Sequence, residues 1–128
     1  MIWYEWVDEK GQGALSSYPL QVQTLAKLDE RMDRIEALRD DLSFDSRRGL
    51  IFPCTGELKK LKANAQVALR PIVHVSESPA EVTFLLVVEE RDNKYPAGYE
   101  KKAKDRLAEI RANPKRRKRY ERATTKTP

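Results

Sequence analysis

The chain has 128 residues, a length that favours one domain, and 40% of them are apolar against 35% charged, which is wet but not the composition of a disordered chain. No stretch approaches the roughly 18 apolar residues of a membrane span, and the opening MIWYEWVDEK has neither the basic nor the apolar region of a signal peptide. A single cysteine, Cys54, excludes a disulfide framework and a zinc quartet, so a cytoplasmic protein with no cofactor and no membrane association is expected.

Ile2 to Val7 is aromatic and β-branched and reads as an opening strand. A glycine- and serine-containing loop follows, and Ser16-Ser17 ahead of Pro19 offers a helix start. From Leu20 to Leu42, Leu25, Leu28, Met32, Ile35, Leu38 and Leu42 recur at helical spacing, as one long helix or as two. Ser43 to Gly56 is irregular. Glu57 to Leu61 and Val67 to Val75 read as strands, the second with a bulge or an unpaired edge at Pro71. Val82 to Val88 is apolar on both faces and should be a central strand. Glu89 to Pro96 is a polar loop, and Pro96 opens a last helix with Tyr99, Ala103, Leu107 and Ile110 on one face. Asn113-Pro114 ends it.

The expected class is α+β. An N-terminal strand and helix (or helical hairpin) precede a three-stranded antiparallel run that completes a four-stranded sheet, and a C-terminal helix follows, with the helices on one face. The domain is set at residues 1–113, with a basic, partly disordered extension at 114–128. The net charge of +5 is uneven: that extension holds seven basic residues against Glu121, so the preceding 113 residues carry a net −1.

Phosphate-loop, dinucleotide, metalloprotease and serine-hydrolase motifs are absent. Cys54 reads as a packed small residue. His74, on a strand face with Arg70 and Ile72, reads as a packed or surface histidine, or else as the one acid/base that titrates near neutrality. What remains is cationic. Lys59, Lys60 and Lys62 precede Arg70, Arg91 and Lys94 follow the apolar strand, and Tyr95 and Tyr99 lie beside them. Such a surface can bind phosphates, and a neighbouring tyrosine can stack on a base.

The order of elements and the C-terminal half resemble the RelE superfamily of toxins, particularly its HigB-like, phage-derived branch. Glu57-Leu58-Lys59 is similar to the family's ELR-like motif, with Leu69-Arg70 as an alternative register. Arg70 matches the family's arginine on the following strand. Lys94-Tyr95-Pro96 matches its Lys-x-Pro helix start, and Ala103 and Arg106 fit the helix. The resemblance covers residues 2–112. It implies the toxin component of a toxin–antitoxin system, an endoribonuclease that cleaves messenger RNA at the ribosome by attack of the RNA's own 2′-hydroxyl, without a metal. It further implies Arg70 at the scissile phosphate with Lys59 and Arg91 in support, Lys94 at the RNA or the leaving group, and Tyr95 stacking or sharing proton transfer. His74 is the dissenting acid/base. Lys60, Lys62, Tyr99 and the tail residues Lys115, Arg116, Arg117, Lys118 and Arg119 would hold RNA, and a cognate antitoxin protein would be the partner. The alternative is a non-catalytic nucleic-acid-binding protein, or a phage-encoded interaction protein that retains the fold.

Overall fold

The computed structural model describes residues 1–37, 49–77 and 79–122. β1 (Ile2–Trp6) alternates buried Trp3 and Glu5 with half-buried Tyr4 and Trp6, as a strand between two layers must. Helix α1 (Val22–Ala37) starts later than the Ser16-Ser17 signal suggested. The physical reason is local: the Ser17 amide and hydroxyl both donate to the Gly13 carbonyl, so the serine closes a turn instead of capping a helix. The bond that opens α1 is Leu25 N to the Gln21 carbonyl. α1 runs uninterrupted to Ala37; the question of a second helix falls on residues 38–48, outside the described ones.

β2 (Phe52–Pro53), β3 (Leu58–Lys60), β4 (Ala63–Asn64), β5 (Ala68–Glu77) and β6 (Ala80–Glu90) come next along the chain. Then come α2 (Tyr99–Ala112), a 3-10 turn (Pro114–Arg116) and β7 (Arg117–Arg119). The strands form one seven-stranded sheet in the order β2-β3-β5-β6-β1-β7, with β4 also on β5. The class is α+β as expected, but the sheet is larger than four strands. It is also mixed, because β1 lies parallel to β6 while the other pairs are antiparallel. β6 is the central strand, with seven successive buried residues from Val82 to Val88.

The helices do not share a face. Leu28, Met32 and Ile35 of α1 pack with Trp3, Leu69, Val73, Val82, Phe84 and Val87. Ala103, Leu107 and Ile110 of α2 pack with Leu58 of β3 and with Ile72, Leu86 and Val88 from the opposite face of β5 and β6. A strand apolar on both sides requires a cover on both sides, and the result is three layers.

Two irregularities shape the sheet. Ile72 pairs with Leu86 and Val73 with Phe84, which leaves Leu85 unpaired in a bulge. Its carbonyl is taken instead by Arg106 Nη1 at 2.9 Å. Pro71 is on an interior strand, neither at an edge nor itself bulged. Its carbonyl accepts from Leu61 N, so its missing donor faces the break between β3 and β4, where no ladder bond is lost.

The basic extension is not an appendage up to residue 122. β7 pairs with β1 in the register Tyr4–Arg119 to Trp6–Arg117, and the Tyr120 ring meets the Phe84 ring edge-on at 5.7 Å. Arg122 then bonds Asp29, Asp33 and Glu36 on α1. The strand-forming signal was hidden because Arg117–Arg119 has no apolar alternation; its pairing groups are backbone. The expected disorder of the last six residues falls outside the described residues.

Candidate functional site

Arg70, Glu90, Tyr95 and Lys60 meet on the α2 face of the sheet. In the β5–β6 hairpin Arg70 pairs with Val88 and Ala68 with Glu90, so Arg70 and Glu90 are diagonal neighbours on one face. Arg70 is 6% exposed. Its Nε donates to Glu90 Oε1 at 3.0 Å, and its Nη1 donates to Asn64 Oδ1 at 2.9 Å and to the Leu69 carbonyl at 2.8 Å. Glu90 keeps 23% of its side chain exposed. The Arg70 hydrogen bond, with help from the charges of Arg70 and Lys60, holds its carboxyl below the ordinary value. The Lys60 ammonium lies 4.8 Å from the Tyr95 ring centre, and that ring packs on Tyr99 at 4.9 Å.

The turn after β6 presents the next cations. Arg91 and Lys94 exchange backbone hydrogen bonds, and Asp92 and Asn93 between them both have positive φ, at 52° and 61°. This is a type I′ geometry, for which Asp and Asn are suited. It projects Arg91 and Lys94 into solvent beside a groove of about 470 Å³ lined by both, by Tyr95 and Pro96, and by Tyr18 and Glu89. The Tyr18 hydroxyl donates to Glu89 at 2.6 Å, and Arg91 bonds the same carboxylate at 2.9 Å. Burial, and then Glu89, pushes the Tyr18 hydroxyl up to about 12.

The remaining sequence candidates are dispersed. Lys59 pairs with Val73, on the α1 face, whereas Lys60 pairs with Ile72 on the Arg70 face; with a period of two, the neighbouring lysine is the one that joins. Lys62 lies over the Phe52 ring at 4.1 Å, toward α1. His74 shares the Arg70 face but sits four positions along β5, roughly 13 Å away. It faces Glu57 at 3.7 Å, and that carboxylate is held by both terminal nitrogens of Arg111. Burial, and then Arg111, pulls the imidazole below its ordinary value. Tyr99 is half-buried, its hydroxyl 3.8 Å from Cys54 Sγ. Arg116 bonds the Val7 carbonyl, Arg117 pairs with Glu81 and covers the Tyr4 ring, and Lys118 bonds the Gly11 carbonyl. Lys115 and Arg119 are exposed. These tail residues lie around β7, three strands beyond β5 in the sheet.

Glu90 and Asn64 were not singled out by the sequence. No signal in the hairpin could have found Glu90: counted from Glu77–Ala80, Arg70 would pair with Val87 and Glu90 would face the other way, and only the bulge at Leu85 brings Glu90 to the Arg70 face. Among the described residues no group of three or more His, Cys, Asp and Glu side chains is placed to hold a metal, and no helix is long and apolar enough to cross a membrane. Comparison with protein-family models, with curated proteins and with solved structures finds no match.

Proposed function

We propose that this chain binds single-stranded RNA across the Lys60–Tyr95–Lys94 corner and cleaves it through the RNA's own 2′-hydroxyl, as a toxin similar to the RelE and HigB kind. The observation that supports this most is a carboxylate, Glu90, held ionised by Arg70 and open at 23% beside Lys60, Tyr95 and an exposed Arg91–Lys94 turn. A cleavage of this type needs a base for the 2′-hydroxyl, cations for the phosphate and a donor for the leaving oxygen.

Glu90 accepts the 2′-hydroxyl proton. The 2′-oxygen bonds to phosphorus, the bond from phosphorus to the 5′-oxygen breaks, and the Lys94 ammonium gives that oxygen a proton. The products are a 2′,3′-cyclic phosphate and a 5′-hydroxyl. Lys60 and Arg91 offset charge on the phosphate, and Tyr95 stacks on a base. Arg70, buried and engaged, acts as a positioning residue for Glu90 in this scheme instead of touching the phosphate. His74 lies too far away to share the step. Messenger RNA on the ribosome is the proposed substrate, and a cognate antitoxin that covers this corner is the proposed partner.

The burial of Arg70 in an ion pair equally suits the rival reading, a binding module without catalysis. Induced expression in a bacterium separates the two. Wild type should arrest growth and generate new messenger RNA ends, and Glu90→Gln and Arg70→Ala should do neither while remaining folded. Normal growth with intact RNA for the wild type, in a host without an antitoxin, would remove the toxin reading.

A further inference from the structure

Asn64 links Arg70 to a second basic hollow on the other side of the sheet. The Asn64 amide oxygen accepts from Arg70 Nη1 at 2.9 Å, which ties Asn64 to the Arg70–Glu90 corner. Asn64 also lines a cavity of about 210 Å³ whose other described walls are Lys27, Glu30, Arg31, Arg34, Lys62 and Ala63. On α1, Lys27, Arg31 and Arg34 are three and four residues apart, so they share one helix face with Glu30 at its margin.

Among the described residues, charge in this hollow is unbalanced. Glu30 is the one carboxylate of the described lining, and it serves both Arg34 at 3.5 Å and Lys27 at 4.0 Å. Arg31 donates to the Gly49 carbonyl at 2.7 Å, and Lys62 rests on the Phe52 ring, so neither makes a direct ion pair with a carboxylate of the described lining. Burial, and then the charge of Arg34, works against the Arg31 guanidinium. Like charges gathered around a concavity make a seat for an oxyanion.

We infer that the Lys27–Arg31–Arg34–Lys62 hollow is a second phosphate subsite, which takes a backbone phosphate of the same RNA strand as it passes from the Arg70–Glu90 corner around Asn64. This rests on the RNA reading of that corner. The strand then wraps the β4 margin of the sheet, with its reacting phosphate on the α2 face and a flanking phosphate on the α1 face. RNA long enough to reach both sites gains from the hollow, and RNA that fills only the corner does not.

The test is the salt dependence of binding, read by fluorescence anisotropy on the full chain. A single-stranded RNA of about ten nucleotides and a trinucleotide are compared for wild type and for Arg34→Gln with Lys62→Gln. For the longer RNA, the double variant should lower the slope of log affinity against log salt by about 0.7 to 1.4, the loss of one to two single-strand phosphate contacts. The trinucleotide should bind both proteins alike. Arg34→Lys with Lys62→Arg, which keeps the charges, should retain the wild-type slope, and this controls for any change in folding. An unchanged slope in the double variant, while wild type binds RNA, overturns the subsite and leaves the corner standing. An equal loss for the trinucleotide overturns it too, because the hollow would then be part of the primary site. Wild type that binds neither RNA overturns both readings together.

Discussion

Glu5 and Gly13 act as one unit. Glu5 is 1% exposed, and its Oε1 accepts the amides of Leu15 and Ser16 at 2.9 and 2.8 Å. A carboxylate taken from water this far requires such donors. A Cβ at position 13 would overlap the Glu5 carboxylate, so only glycine fits there. Gly13→Ala should destabilise the fold by about 3 kcal/mol, measured by urea unfolding; a loss below about 0.5 kcal/mol would show that the turn re-forms elsewhere. Arg70 is tested through pH. Glu90 has its carboxyl depressed chiefly by the Arg70 hydrogen bond, so it is ionised above its folded value and the acid limb of cleavage lies below the ordinary glutamate value of 4.5. Arg70→Gln removes that bond, so the limb should move up toward 4.5 in addition to any fall in rate. A limb that stays in place would mean that Glu90 is not the base. His74 has its own signature in stability. Its folded value is depressed below 6.5, so the unfolded chain binds more protons in the interval between the two. Stability contributed by neutral His74 is present above 6.5 and is lost as pH falls through the depressed value. His74→Gln should flatten that part of a plot of unfolding free energy against pH.

Helices and strands were legible in the sequence where apolar spacing carried them. The α1 stripe, the both-sided apolar run of β6 and the α2 face are all side-chain patterns; β6 and α2 are where their patterns put them, and α1 follows its stripe from Val22 to Ala37, Leu38 and Leu42 lying outside the described residues. Two features were not legible, for two different reasons. Which face a helix covers depends on packing between distant segments, and a strand apolar on both sides is silent about which helix goes where. β7 is a basic trio that joins the sheet through backbone bonds and is anchored by its C-terminal neighbours, the Tyr120 ring and the Arg122 network. The tail is therefore a structural clasp. Tyr120→Ala should cost about 2 kcal/mol of stability, and removal of residues 117–128 should lower the whole unfolding transition instead of leaving it unchanged as loss of a free tail would. Pro71→Ala should change stability by less than about 1 kcal/mol, because the restored donor points into the gap between β3 and β4.

Across the whole molecule, the sequence's cationic constellation divides by face and by end. Alternation sends Lys59 to one side and Lys60 to the other, strand length separates His74 from Arg70, and strand order places the β7 cations at the far edge. What converges is smaller than the charge pattern suggested: Arg70, Glu90, Lys60 and Tyr95, with Tyr95 also lining the groove beside the Arg91–Lys94 turn. Glu90 at its centre was illegible because a glutamate among charged residues carries no signal until the hairpin register is known. The most direct test of this centre is the chemistry of the cut. The purified chain is mixed with messenger RNA and ribosomes, and the new RNA ends are characterised for wild type and Glu90→Gln. Wild type should leave 2′,3′-cyclic phosphate and 5′-hydroxyl ends, with the rate reduced about 100-fold or more by Glu90→Gln. Intact RNA, cuts that carry 3′-hydroxyl and 5′-phosphate ends, or full activity in Glu90→Gln would contradict cleavage by Glu90 through the 2′-hydroxyl.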